Sequence, residues 1–197
     1  MERDGWAPYR RFTNARHQTC AAHLLRRTGE LIADSTAGQA RVPHAARRIL
    51  KDALHLRDQR DVIDANEFGL KVTDLHQRTD KLLAMRPTHE PNRRLLAHLA
   101  TEREHMFTFL TVPGVQATNW RAEQALRPVI VNRTSWGGNR TWAGARTQQI
   151  TASVIRTARQ QNLDPVELTT AAQRSRTPAV SQLIRLPARA SPTTLAA

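Results

Sequence analysis

Residues Thr118-Asn-Trp-Arg-Ala-Glu-Gln-Ala-Leu-Arg-Pro128, continued by Val129-Ile-Val131, are the stretch on which the reading of this chain turns. Thr118 or Asn119 offers a side-chain oxygen to the free N–H groups of a following turn. A short helix is therefore expected from about 120 to 127. Pro128 ends that pattern, and Pro128-Val-Ile-Val131 is the one convincing strand-like run in the sequence. Glu123 is solitary. Residues 113–160 hold seven arginines (121, 127, 133, 140, 146, 156 and 159) and this single acid. Read alone, Glu123 is a first-turn carboxylate beside the helix dipole, with Arg127 four residues on, a pairing worth about 0.2–0.5 kcal/mol.

Working outward, most of the chain has helical periodicity. Cys20, Ala21, Leu24, Leu25, Leu31 and Ile32 recur on one face, predicting an amphipathic helix at about 16–33. Breakers at Ser35, Gly38 and Pro43 mark a loop over 34–43. Ala46, Ile49, Leu50, Ala53 and Leu54 predict a helix at about 44–64, and Phe68, Val72, Leu75 and Leu82 a weaker one at about 66–85. Leu95, Leu96, Leu99, Met106, Phe107 and Leu110 predict one further helix that Pro113-Gly114 ends. Gly137-Gly138-Asn139 reads as a turn. Ile150, Val154, Ile155 and Ala158 predict a helix at about 143–161, and Asp164-Pro165 starts another. From Ser175 onward Pro, Ala, Arg, Ser and Thr follow without period, so 175–197 is expected to be a disordered tail.

Composition excludes several classes. The chain has 197 residues, room for one domain or one domain with a tail. Its 30 Lys+Arg against 17 Asp+Glu give a formal charge of +13, with a mean hydropathy of −0.55. No run approaches the roughly 18 apolar residues of a membrane span, and Met1-Glu-Arg-Asp-Gly-Trp-Ala-Pro-Tyr-Arg-Arg11 has no apolar core of a secretory signal. One cysteine allows no internal disulfide, which fits a reducing cytoplasm. A charge of +13 fits a partner with dense phosphate. A GC-rich codon bias accounts for Arg over Lys, but not for the excess of base over acid.

Other groups that could carry chemistry are weaker. Cys20-x-x-His23, with His17 a turn earlier, would lie along one face of the expected helix, but no second cysteine completes a zinc set. Glu102-x-x-His105 is half of a carboxylate di-metal pattern without its other half, and is read as surface. Asp4 precedes Gly5 and on its own reads as a turn residue.

The stretch quoted above resembles the N-x-x-A-E-x-x-L-R-P pattern of the insertion-sequence family sixty-six DDE transposases. Val131-Asn-Arg-Thr-Ser-Trp-Gly-Gly-Asn-Arg140, then Gly144-Ala-Arg146, Ser153-Val-Ile-Arg-Thr157 and Leu163-Asp-Pro165 continue the likeness in order. Upstream, Asp4-Gly-Trp-Ala-Pro-Tyr9 and Cys20-Ala-Ala-His-Leu-Leu-Arg-Arg27 resemble the family's second-aspartate segment and its C-x-x-H-x-x-R element. The resemblance covers about residues 4–168. Position 134 is Thr where the family commonly has Lys.

The resemblance implies a ribonuclease-H-like fold in which two aspartates and a glutamate hold two divalent ions, Mg²⁺ or Mn²⁺. Carried over by position, Asp4 matches the second aspartate and Glu123 the glutamate, as catalytic and metal-binding residues 119 positions apart. The first aspartate and the first strands of the sheet find no match after Met1. The expected architecture is thus mainly α, the C-terminal part of the transposase fold with most of the central sheet absent. Residues 1–33 would carry the second aspartate and the C-x-x-H helix, 34–112 a helical insertion, and 113–174 the glutamate-bearing arginine-rich part. Without the sheet, the apolar faces near 16–33 and 143–161 would lack a partner. Asn119, Arg121, Arg127, Arg133, Arg140 and Arg146 are the expected nucleic-acid contacts. The expected partners are double-stranded DNA at transposon ends, the remaining N-terminal portion of the transposase and a second copy of the chain, with no membrane. The expected setting is the bacterial cytoplasm at the nucleoid. The expected function is metal-dependent DNA cleavage and strand transfer, silent in this chain alone; a non-catalytic basic DNA-binding remnant or regulator is the alternative.

Overall fold

A computed structural model describes residues 1–36 and 38–174; the tail expected at 175–197 lies outside them. The architecture is mainly α, as the periodicity predicts. Two short strands, β1 (Glu2–Arg3) and β2 (Gln18–Thr19), pair in parallel with Glu2 opposite Gln18 and Arg3 opposite Thr19. The link between them contains a 3₁₀ turn at Ala7–Arg11. The helices follow in order: α1 (Ala21–Ala33), α2 (Arg41–Asp58), α3 (Ala65–Leu83), α4 (Glu90–Glu102), α5 (Thr108–Thr111), α6 (Trp120–Ser135), α7 (Trp142–Gln160) and α8 (Pro165–Arg174). The chain divides into two compact units, Met1–Arg121 and the part from Ala122 onward.

The first unit has the core. Leu24 of α1, Ile49 and Leu50 of α2, Leu75 of α3, Leu95 and Leu99 of α4, and Phe109 of α5 are all buried in one apolar cluster. α1 packs on α2, and α2 on α3, so the face expected to be unpartnered near 16–33 is covered by the helices that follow it. The local signals explain the boundaries. The Asp64 carboxylate accepts the Asn66 and Glu67 N–H groups and starts α3. Tertiary pairing corrects the start of α1. Residues 16–20 are not its first turn: Gln18–Thr19 is β2, and Cys20 is the N-cap. The single helix expected through Leu110 is also corrected. It is interrupted after Glu102 by a 3₁₀ turn at Arg103–His105 and resumes as α5.

In the second unit, the strand-like run at Pro128–Val131 is helical, and Pro128 lies inside α6. Proline forfeits one N–H donor, toward the carbonyl four residues back, and the helix continues on either side of that gap. Thr134 and Ser135 hydroxyls bond back to the Ile130 and Val131 carbonyls in the last turn. Gly137 and Gly138, at φ of +75° and +85°, make the expected turn where other residues would be strained. Thr141 caps α7 through the Gly144 N–H at 3.0 Å. Asp164 does the same for α8, with Pro165 at its first position. Apolar burial is sparse here: Ala158 of α7 and Leu168 of α8, with Val154 packed against them.

Candidate carboxylate site and nucleic-acid interface

Asp4 follows β1 directly and is exposed. Its Oδ1 accepts the Trp6 N–H at 2.9 Å, and Gly5 between them has a φ of +94°. A Cβ at Gly5 would meet the His98 ring at 3.2 Å, so glycine is needed there for space as well as for conformation. The turn reading of Asp4 is therefore correct as local structure, and it presents the carboxylate at the end of a strand.

That strand is held by a buried acid which the sequence reading placed on the surface. Glu102, the last residue of α4, is 0% exposed. Its Oε2 pairs with Arg3 Nη2 at 2.7 Å and accepts the Thr19 hydroxyl at 2.7 Å, while Oε1 takes Arg10 Nη2 at 2.9 Å. Arg3 precedes Asp4 and Arg10 lies in the turn after it, so one carboxylate ties down the chain on both sides of Asp4. Burial by itself would raise the Glu102 pKa, but the hydrogen bonds from Thr19, Arg3 and Arg10 outweigh it and hold the group below the usual carboxylate range. His98, one turn earlier on α4, faces Arg27, whose Nη1 lies 2.6 Å from its Nδ1. Burial, then the Arg27 charge, lowers the His98 pKa. His105 is lowered likewise by burial and by Arg3. Gln18 completes the frame: its side chain donates to the Met106 carbonyl and accepts the Phe109 N–H.

Cys20 and its neighbours are structural. The Cys20 N–H donates to the Arg3 carbonyl at 2.7 Å, and Ala21 N–H to the Ala117 carbonyl at 2.9 Å. Asn119 N–H donates to Cys20 Sγ at 3.4 Å, and Gln116 N–H to Glu2 Oε1 at 3.0 Å. The segment that leads into α6 is thus fastened to β1 and to the start of α1. His17 lies before β2, not on the helix with His23, and its Nε2 bonds the Phe12 carbonyl. The expected row of His17, Cys20 and His23 along one helix face therefore does not form.

Glu123 sits in the first turn of α6, exposed, in the second unit. Among the described residues no group of three His, Cys, Asp or Glu is gathered as a metal site. Carboxylate oxygens suit Mg²⁺ or Mn²⁺, but the acids among the described residues do not form a complete set.

The arginines present a clearer picture. Arg121, Arg127, Arg133, Arg140, Arg146, Arg156 and Arg159 are all exposed. One carboxylate, Glu123, cannot neutralise seven guanidinium groups across 113–160. In the first unit several arginines do meet acids: Arg78 pairs with Asp52 and Asp74, Arg93 and Arg94 with Glu90, and Arg103 with Asp80. No helix among the described residues is long and apolar enough to cross a membrane.

A family model described as Transposase IS66 family matches residues 1–147. No curated protein and no solved structure matches the chain.

Proposed function

The chain belongs to the Transposase IS66 family, and from that premise we propose that it is the part of a DDE transposase bearing the second catalytic aspartate, Asp4, and the glutamate, Glu123. It binds double-stranded DNA at transposon ends through Asn119, Arg121, Arg127, Arg133, Arg140 and Arg146. DNA transposition is the family's function. The ribonuclease-H-like catalytic core, the ligation of Mg²⁺ or Mn²⁺ by Asp4 and Glu123, the nucleoid setting and the self-association belong to this reading. The divisions at 33 and 112 belong to it as well.

The observation that carries the reading is the exposed arginine block, seven guanidinium groups against one acid. Each such group that displaces a counterion from a phosphate contributes to affinity and makes that affinity salt-dependent. The placement of Asp4 gives further support. It stands in a turn fixed on both flanks by Glu102, and Gln116 and Asn119, just upstream of Glu123, bond to Glu2 and Cys20. Divalent ions, when bound, activate the nucleophile and stabilise the leaving oxygen in phosphoryl displacement. The chain's own acids supply two of the three carboxylates that the resemblance calls for, so this chain alone is expected to be silent in catalysis.

A salt titration of duplex binding, read by fluorescence anisotropy, tests the interface. With about six phosphate contacts, log K should fall against log[salt] with a slope near −5. Affinity that is flat with salt would remove the electrostatic reading. Labelled transposon-end DNA incubated with Mg²⁺ or Mn²⁺ tests the catalytic part. No cleavage is expected until a portion carrying the first aspartate is supplied, and cleavage then should drop by orders of magnitude in Glu123→Gln. A reconstituted enzyme in which Glu123→Gln cleaves normally would leave Glu123 a helix-dipole acid and the chain a non-catalytic DNA-binding module.

A further inference from the structure

The first unit has its own basic surface. Arg41, His44, Arg48, Lys51 and His55 fall on α2 at spacings of three, four, three and four residues, which is one face of a helix. All five are exposed. At 1.5 Å per residue the stripe runs about 21 Å. The opposite face of α2, with Val42, Ala46, Ile49, Leu50, Ala53 and Leu56, is buried in the core. The stripe is therefore rigidly presented, on an 18-residue helix packed between α1 and α3.

Its charge is not spent inside the protein. Arg41, Arg48 and Lys51 make no ion pair among the described residues, whereas Asp52, at the edge of the face, is taken by Arg78 at 2.6 Å. Arg47 is a different case, committed to the Leu25 carbonyl at 2.7 Å. Shallow grooves flank the ridge, one of about 550 Å³ beside Gly29 of α1 and one beside Lys81 of α3; Arg48 lines both. Lys81 is exposed and adds a fourth cation.

We propose that this face of α2 is a second contact surface for duplex DNA, separate from the arginine block and held by backbone phosphates. The proposal rests on the DNA-binding reading above. Charge complementarity selects the partner: about 21 Å of duplex axis carries about 12 phosphate charges. The stripe contains no Phe, Tyr or Trp on which single-stranded bases could stack; its only rings are the small imidazoles of His44 and His55. A membrane-surface helix would need its apolar face for lipid, and that face of α2 is already buried. Without residues aimed at base edges in any fixed frame, the surface should hold DNA regardless of sequence.

The test uses the full chain, a labelled duplex of arbitrary sequence and a range of salt. The variant carrying Arg41→Gln, Arg48→Gln and Lys51→Gln should show a salt slope shallower by about 2–3, since each lost phosphate contact removes about 0.9. Replacing Arg41 and Arg48 by Lys should keep the wild-type slope. All these positions are exposed, and an unchanged helical circular dichroism signal verifies the fold; should the triple variant unfold, Arg48→Glu alone, with an expected slope loss of one or more, carries the test. A wild-type slope in the α2 variants, alongside a shallower slope in Arg133→Gln/Arg140→Gln/Arg146→Gln, would overturn the second surface and leave the arginine block standing. A wild-type slope in both sets would overturn both. Loss of binding to phosphatidylserine vesicles with DNA binding intact would overturn the proposal in favour of a lipid surface.

Discussion

The two units of this chain are alike in secondary structure and unlike in almost everything else. In the first, α1 to α5 bury leucines completely, and Leu95 is 0% exposed. Several of its arginines meet acids, among them Arg78, Arg93, Arg94 and Arg103, and a charged residue, Glu102, is buried only because three partners surround it. In the second, α6 buries no residue among those described, and α7 and α8 one each. Trp142 is 92% exposed, Val166 71% and Ile150 54%. The arginines there have almost no acids to meet. Periodicity alone makes a helix plausible, but tertiary burial decides whether it is held. The difference points to a division of labour: the first unit places its apolar surface in a packed core, and the second leaves most of its apolar side chains and its arginines exposed.

The first unit should be most sensitive at Glu102. Glu102→Ala should destabilise the first unit by about 3–5 kcal/mol, because it strands the buried Arg3 charge without its carboxylate. Among the described residues Arg3 Nε and Nη1 have no hydrogen-bond partner to fall back on. Leu99→Ala in the same unit should cost about 2–5 kcal/mol by leaving a cavity in a packed core. Chemical denaturation, followed by circular dichroism, measures both. A change below about 1 kcal/mol at either position would mean that the scaffold is looser than its packing indicates.

Acid should act on the scaffold in two windows. The pKa of His98 is lowered in the fold, so the unfolded chain takes up its proton first as pH falls below about 6.5, and stability declines from there downward. Glu102 is also lowered, so its contribution is present above the ordinary glutamate range and is lost as pH falls through its lower folded value. Thermal melting between pH 7 and 5 should show a falling midpoint, and His98→Gln should lessen that fall without abolishing it, because His76 and His105 are lowered as well. A midpoint independent of pH in wild type would contradict the lowered histidine. The smallest effects belong to the second unit. Trp142→Ala and Ile150→Ala should each change stability by less than about 0.5 kcal/mol, because little apolar surface is buried at either site. A loss above 1 kcal/mol would show that those side chains have a packing partner.

Where a helix carried its own start and stop signals, the sequence was sufficient. The helices expected at 66–85 and 143–161 appear as α3 and α7 within a residue or two, since Asp64 and Thr141 cap them and their apolar faces keep period. The failures have physical causes. Pro128 and the β-branched Val129-Ile-Val131 look like a strand locally, yet α6 absorbs one missing hydrogen bond. The first turn expected for α1 went to β2, because Gln18 and Thr19 pair with residues at the chain start. Glu102 was unreadable, since its partners Thr19 and Arg10 lie 83 and 92 positions away and no local pattern marks a buried charge. Asp4 and Glu123 rest on a resemblance whose family is now established. The exposure of the arginine block, by contrast, was implied by composition alone, because seven bases with one acid have nowhere else to go.

Amide hydrogen exchange of the full chain, alone and with saturating duplex DNA, tests the division of labour most directly. In the free chain the amides of α1 to α4 should be the most protected, and those of α6 and α7 should exchange quickly, as few buried contacts hold them. With DNA, exchange in α6 and α7 should slow markedly. Protection of α6 and α7 equal to that of α2 and α4 in the free chain, or exchange unchanged by DNA, would contradict that division.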